Sequence, residues 1–351
     1  MATIRKKIIV GSRASRLAIA QVEEIKKMLS CDNVDFVIKT YNTTGDIDKN
    51  TPISKMEGTD FFTDAIEKAI QNDEVDIGIH SAKDLPDVIP NGLVVAALTD
   101  SIDPYDAVVS KRNLKIEDLP KGAKIGTCSI RRKEQLKKFR PDFEIVDIRG
   151  NIEERLEKLY NSDLEAIVIA AAALVRLGLE EKITQRIPFD IVNPHPLQGS
   201  IAVETKYMKK EIIELFNKID RRKKILFLSI ENSLRSQIAE AIVNHFYWQK
   251  CFALSAGLKP KGVIDQLAIE VMKEKAVDIS HQKSKNLNEL PLIKFDYIIT
   301  MGDCKDVSSF SLVGENIVWQ IPDTKGKPIE FLYKIRDEIE NKIVEFINNM
   351  N

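Results

Sequence analysis

The chain has 351 residues, with 52 Lys and Arg against 53 Asp and Glu and a formal net charge of −1. That balance excludes a strongly basic polyanion binder, whose surplus of cations would show in the total. With 44% hydrophobic and 30% charged residues, 15 Gly and 13 Pro, disordered, collagen-like and mucin-like chains are excluded too, and at about 100–200 residues per domain the length predicts two or three domains.

Short β-branched runs alternate with amphipathic stretches, which predicts α/β layers with largely parallel sheets. At the N-terminus Arg5, Lys6 and Lys7 precede only the brief run Ile8-Ile9-Val10, so no signal peptide is expected. Strands are predicted over 7–10, 34–41, 75–79, 93–98, 143–148 and 165–170, and helices over 15–29, 60–72, 130–139 and 151–160. The longest apolar run, 166–175, is about half of the ~20 residues a membrane span requires. Cys31, Cys128, Cys251 and Cys304 are dispersed and form no metal-ligand or CxxC spacing, as expected of reduced thiols in a cytoplasmic protein that binds no metal, membrane or nucleic acid. Residues 204–224 read as a charged helix ending in Asp220-Arg221-Arg222-Lys223-Lys224, a solvated linker before a fresh strand over 225–228 and a helix from about Ser236.

Within this frame charged residues collect where strands end. Lys83 and Asp84 follow the apolar run 75–79. Thr127, Ser129, Arg131 and Arg132 sit at a strand-to-helix turn that suits an anion, and Arg149 and Gly150 repeat the device with Arg155 one turn on. Arg13 and Ser15 follow the first strand, and Arg176 follows the apolar run. Several guanidinium groups at strand ends suit a ligand with several carboxylates, and an aspartate among them can accept from an N–H donor or stabilise a developing cation.

The runs 80–86 (His-Ser-Ala-Lys-Asp-Leu-Pro) and 126–132 (Gly-Thr-Cys-Ser-Ile-Arg-Arg), with Arg149-Gly150-Asn151 and Arg176-Leu177-Gly178-Leu179, closely resemble hydroxymethylbilane synthase, the porphobilinogen deaminase family. Thr43-Thr44-Gly45-Asp46 and 51–55 match its first domain, and Pro196-Leu197-Gln198-Gly199 its return strand. The resemblance spans roughly 4–220. It implies two periplasmic-binding-protein-like domains, 1–99 plus 200–221 and 100–199, and condensation of porphobilinogen into a linear tetrapyrrole with loss of ammonia. By resemblance Asp84 is catalytic, and Arg13, Ser15, Lys55, Lys83, Thr127, Ser129, Arg131, Arg132, Arg149, Gly150, Arg155, Arg176 and Gln198 bind substrate and a dipyrromethane cofactor. Two departures follow. The family's Gly-Gly-Lys-Gly loop reads Glu57-Gly58-Thr59-Asp60 here, and no cysteine stands in the Gly-Gly-Cys setting that carries the cofactor in the family's third domain, which is not expected in this chain.

After residue 224 the spacing from Ser229 to Arg235, with Ser255-Ala256-Gly257 and a tail of Trp319, Pro322 and Asp323, resembles the low-molecular-weight protein tyrosine phosphatase and arsenate reductase family over 222–351. It implies a parallel-sheet α/β domain whose loop residues Ser229, Asn232, Arg235 and Ser236, with Asp323, surround a phosphate- or arsenate-like anion. The family's nucleophilic cysteine is Ser229 here, so oxyanion binding without chemistry is expected. A non-catalytic binding protein for pyrrole polycarboxylates, and a phosphatase or arsenate reductase, remain as alternatives to the synthase.

Overall fold

A computed structural model of the chain describes residues 6–29, 34–48, 58–302 and 312–350. They fall into two compact units, 1–87 with 99–203 and 88–98 with 204–351. The architecture is the expected one: α/β layers of periplasmic-binding-protein type, followed by a parallel-sheet α/β domain.

The first unit opens with β1 (Lys6–Arg13), α1 (Arg16–Met28), β2 (Val34–Tyr41), α2 (Thr44–Ile47), α3 (Asp64–Gln71) and β3 (Ile77–Ser81). β1 pairs in parallel with β2 and with β3. After β4 (Leu93–Leu98), which belongs to the second unit, come β5 (Asp106–Ser110), β6 (Lys124–Gly126), α4 (Ile130–Phe139), β7 (Glu144–Val146), α5 (Ile152–Asn161), β8 (Ala166–Ala170), α6 (Ala171–Arg176) and β9 (Gln185–Arg186). They form a sheet of order β7-β6-β8-β5-β9. The expectation of largely parallel sheets is met only in part, because β5 runs antiparallel to both β8 and β9.

Period-two alternation builds the core of this sheet. Ile167 and Ile169 of β8 face Ile152, Leu156 and Leu159, one stripe of α5, while Ala166 and Val168 face Leu136 and Phe143 on the other side. The turn after β9 corrects one expectation. Residues 196–199 are not a strand, because Gly199 has φ +84 and a Cβ there would stand 2.6 Å from the Asp103 carbonyl oxygen. The strand starts later, as β10 (Ile201–Lys206).

The second unit adds α7 (Lys210–Phe216), β11 (Lys223–Ser229), α8 (Arg235–Phe246), β12 (Cys251–Gly257), α9 (Gln266–Lys273), β13 (Tyr297–Met301), β14 (Glu315–Trp319) and α10 (Ile329–Asn349). Its sheet, β12-β11-β13-β14, is wholly parallel. Isoleucines 335, 339, 343 and 347 of α10 fall at four-residue spacing and pack into its core.

The predicted helix over 204–224 is not one element: its start is the end of β10 and only 210–216 are α-helical. Nor is 220–224 a solvated linker. Arg222 is 3% exposed and donates to Asp220, to the Trp248 carbonyl (3.1 Å) and to the Val95 carbonyl of β4 (2.7 Å). Asp220 also accepts from the Leu98 amide, and Lys224 Nζ donates to the Asp220 carbonyl (2.6 Å). Asp220, Arg222 and Lys224 of a run that reads as surface are here a buried knot, because one carboxylate and four backbone groups satisfy it, while Arg221 stays exposed.

Burial also sets how the fold answers pH. His80, His195 and His245 are pushed down to about 4, chiefly by desolvation. Each is neutral in the fold and protonated in the unfolded chain below about 6.5, so its contribution is present above that pH and is lost as pH falls toward 4. Glu204, wholly buried in β10, is pushed up to about 8 by desolvation. It is protonated in the fold and ionised when unfolded, so its contribution is lost as pH rises from 4.5 to 8. Between pH 4 and 8 the urea midpoint is therefore expected to peak near pH 6.5, and Glu204→Gln should flatten the alkaline decline while leaving the acid one.

Candidate functional site

In the first unit β1 ends at Arg13 and β3 at Ser81, where a 3-10 turn (Ala82–Asp84) carries Lys83 and Asp84 beyond the sheet. The ends of β6 and β8 lead into α4 and α6. Together they line a cavity of about 500 Å³, at the carboxyl ends of parallel strands where open α/β sheets take ligands. Of the residues expected there, Arg13, Ser15, Lys83, Asp84, Ser129, Arg131, Arg132, Arg149, Gly150, Arg155, Arg176 and Gln198 line it. Thr127 is fully enclosed and is not among the lining residues. Lys55 and Glu57 lie outside the described residues, as do Cys31 and Cys304.

Local sequence explains the placement. Ser15 spends its hydroxyl on capping α1, accepting from the Ala18 amide at 3.2 Å. Ser129 occupies the same position on α4 but makes no side-chain cap bond. Gly150, at φ +119, lets the chain turn into Asn151, whose side chain forms a capping box with Glu154 at the start of α5. That turn sets Arg149 before the helix and Arg155 inside its first turns.

The arginines divide by partner. Arg13 is bound bidentately by Asp46, 3.0 Å from Nε to Oδ2, and lies 4.9 Å from the centre of the Phe62 ring. Its guanidinium holds the Asp46 carboxyl below the usual range, against the opposing effect of burial. Arg132 donates to Asp106 (2.6 Å) and Gln198 (3.2 Å). Arg176 is bound bidentately by Glu24 of α1 and donates to the Gly199 carbonyl. By contrast, Arg131, Arg149 and Arg155 have no carboxylate partner among the described residues. Among the described residues Arg131 Nε and Arg149 Nη2 are enclosed without a hydrogen-bond partner, Arg149 Nη1 donates to the Asp48 carbonyl (2.9 Å), and Arg155 Nε reaches the Gly150 carbonyl.

Lys83 Nζ donates to Gln198 Oε1 at 3.2 Å. Burial, followed by the charge of Arg132, lowers its pKa. No side chain among the described residues donates a hydrogen bond to Asp84, so its carboxylate is open to the cavity. Open donors around an open carboxylate fit a ligand bearing several carboxylates and an N–H. A dipyrromethane meets that description, and Arg131, Arg149, Arg155 and Asp84 are the groups that would hold it. Of the two described cysteines, Cys128 lines the cavity, whereas Cys251 lies in the second unit with its thiol pushed up to about 12 by burial.

The expected set omits Asp46, Phe62, Asp106 and His195, all of which line the cavity, and Glu24 behind it. Asp46 stands inside a motif quoted above, and His195 sits three residues before Gln198. Nothing in sequence marks Glu24 or Asp106, whose partners are 152 and 26 residues away.

In the second unit three of the five expected loop residues gather. Ser229 Oγ lies 2.7 Å from Ser236 Oγ and accepts from the Asn232 amide (3.1 Å), while Asn232 Nδ2 donates to Ser236 and to Ser255. Asn232 has φ +47, a left-handed position that asparagine tolerates. Ser255 donates in turn to Glu240, which is fully buried and also takes the Tyr207 hydroxyl and Lys285 Nζ (3.0 Å). Arg235 turns to the Ile321 carbonyl (2.8 Å), and exposed Asp323 accepts only from the Lys325 amide. No imidazole or carboxylate contacts the Ser229 hydroxyl among the described residues.

Residues 8–214 match the family model of porphobilinogen deaminase, dipyromethane cofactor binding domain, and residues 224–351 match that of low molecular weight phosphotyrosine protein phosphatase. The chain is similar to the porphobilinogen deaminase of Syntrophomonas wolfei subsp. wolfei, at 41% identity over 219 residues, 62% of this chain and 72% of that one. It is 39% identical to that of Francisella tularensis subsp. novicida over 234 residues, 66% of this chain and 78% of that one. Among solved structures, an arsenate reductase in the phosphate binding state aligns at 24% identity and TM-score 0.32, covering 37% of this chain and 99% of that one.

The Arg132–Asp106 pair supplies a test of the site's internal balance. Asp106→Ala leaves Arg132 buried beside Lys83 without its carboxylate, and removing one partner of a buried pair costs about 3–5 kcal/mol. Urea unfolding at pH 7 should show that loss, and Glu24→Ala, whose carboxylate is less enclosed, should lose less.

Proposed function

The chain belongs to the porphobilinogen deaminase family, a family of transferases, and from that membership we propose how its residues carry out hydroxymethylbilane synthesis. The reaction joins porphobilinogen units head to tail. At each step the bond from the aminomethyl carbon to nitrogen breaks, its electron pair leaves with ammonia, and the pyrrole is left as an azafulvenium cation. The free α-carbon of the neighbouring pyrrole then forms the new carbon–carbon bond and gives up its proton.

Asp84 accepts from pyrrole N–H groups and stabilises the cation as ammonia departs, an electrostatic effect aimed at charge that develops on the pyrrole as the carbon–nitrogen bond breaks. Arg131, Arg149, Arg155 and Lys83 hold the acetate and propionate carboxylates. Arg13, Arg132 and Arg176, already paired with Asp46, Asp106 and Glu24, keep the walls in place, and Ser129 and Gln198 complete the polar lining. A bound dipyrromethane supplies the pyrrole end to which units are added, and in this reading it is held through its carboxylates by the same cations. The observation that carries the reading is the open carboxylate of Asp84 within reach of a cavity whose Arg131 and Arg149 nitrogens are enclosed and unpartnered. For the organisation of the chain we take 1–99 plus 200–221, 100–199 and 222–351 as three domains.

The full chain, incubated with porphobilinogen, should consume it and yield porphyrin fluorescence after oxidation. Asp84→Ala should lower the rate by about 10²–10³, the range for losing one preorganised electrostatic group. No turnover by the wild type, or equal turnover by the variant, rejects the assignment. Intact mass under denaturing conditions should equal that of the sequence; a shift by a dipyrromethane would mean covalent attachment.

For residues 222–351 the reading is oxyanion binding without covalent turnover. A thiolate nucleophile forms at neutral pH because its pKa can be lowered, whereas the Ser229 hydroxyl needs a base, and its neighbours are Ser236 and Asn232. Aryl phosphate should not be hydrolysed; hydrolysis that disappears in Arg235→Ala overturns this.

A further inference from the structure

His195 lines the cavity and is held from both sides of its turn. Pro194 and Pro196 flank it, each with a fixed φ. Its carbonyl accepts from the Gln198 amide at 2.9 Å, and its ring Nδ1 accepts from the Leu197 amide at 3.1 Å. An amide N–H aimed at Nδ1 requires a lone pair there, so the ring proton belongs on Nε2. The imidazole is half-buried, and Nε2 has no hydrogen-bond partner among the described residues.

The surroundings of the ring are cationic. Lys83 and Arg131 bear on it with positive charge and Asp87 opposes them; together with burial they keep the ring neutral, with its pKa down to about 4. Geometry acts in the same sense, since a second proton would have to enter at Nδ1, where the Leu197 amide already points. The turn also fixes the ring relative to Lys83, because Gln198, which closes it, accepts from Lys83 Nζ at 3.2 Å and from Arg132 Nη2 at 3.2 Å.

We infer that His195 is a further substrate-binding residue, whose Nε2–H donates to a ligand carboxylate that Lys83 and Arg131 also hold. The inference rests on the reading of the cavity as a site for a pyrrole polycarboxylate. A carboxylate has about four lone-pair positions, so two cations leave room for a third donor. A third cation at this point would repel Lys83 and Arg131 while the cavity is empty; a neutral N–H adds direction and no charge. His195 thereby belongs to the carboxylate-holding set, apart from Asp84, which faces the pyrrole N–H.

Two variants separate the donor from the turn. In His195→Asn the side-chain oxygen can take the place of Nδ1 and keep the Leu197 bond, while the Nε2 donor is lost. In His195→Gln the amide nitrogen reaches the Nε2 position. Calorimetric titration of the full chain with porphobilinogen at pH 7 should show Kd about tenfold weaker for His195→Asn, the loss of one hydrogen bond to a charged acceptor. His195→Gln should stay within about threefold of wild type by the same scale. The ¹⁵N spectrum of the free chain at pH 6, with His195 assigned by its absence in His195→Gln, should report the Nε2–H tautomer.

An unchanged Kd in His195→Asn overturns the inference. So does an equal loss in both variants, which would mean that the turn alone matters, or an imidazolium at pH 6. A wild type that binds porphobilinogen without turning it over rejects the synthase reading, and the two Kd values still decide the role of His195. A wild type that binds none rejects both.

Discussion

The cavity depends on how one carboxamide is satisfied. Gln198 is 2% exposed; its nitrogen donates to Asp106 (2.8 Å) and the Pro104 carbonyl (3.0 Å), and its oxygen accepts from Lys83 and Arg132. All four of its hydrogen-bonding positions are filled, which is what makes a buried polar network rigid rather than costly. Two cations share one oxygen, tolerable because the Asp106 carboxylate meets both Arg132 and the amide. Gly199, the next residue, turns the chain away through a left-handed backbone that a Cβ would block against Asp103. The positions of Lys83, Arg132 and the His195 turn are thus settled together, before any ligand arrives.

A second consequence concerns charge. A near-zero total coexists with a cavity rich in arginine because carboxylates are built into its walls. Asp46, Asp106 and Glu24 each meet one guanidinium, and these pairs act as scaffolding. Among the described residues Arg131, Arg149 and Arg155 lack such partners, and the proposed reading assigns them to incoming carboxylates. In that reading paired cations orient and unpaired cations bind, a division of labour that the bare count of arginines conceals.

Much of the site is legible in the sequence. Apolar runs that stop at charged residues place Asp84 and Arg13 at strand ends without any knowledge of contacts, since a strand's end is a local property; the run before Arg176 is half strand and half helix, so Arg176 ends α6 instead. The partners of those residues are not local. Glu24 meets Arg176 across 152 positions and Asp46 meets Arg13 across 33, so only the fold decides which carboxylate sits where. The run 220–224 misleads for the same reason: consecutive charges are ordinarily solvated, and what buries them is the Val95 carbonyl on another strand and the Trp248 carbonyl beyond α8. The 204–206 stretch misleads differently, because Glu204 and Lys206 are charged residues within β10, a strand buried along almost its whole length, where the Glu204 carboxyl is held protonated. The Ser229 loop is legible as a loop, while the turning of Arg235 toward Ile321 is not.

The knot around Asp220 and Arg222 bears on how the chain could change over generations. The stretch where two recognisable sequence patterns meet is also where the second unit keeps a doubly charged core, its guanidinium gripping backbone from residues before and after the seam. A recombination event that separated the two patterns here would strand a buried cation on one side and an unfilled carbonyl on the other. Selection on the fold alone would therefore keep the two patterns together, since residues 88–98 and 204–351 make one compact unit.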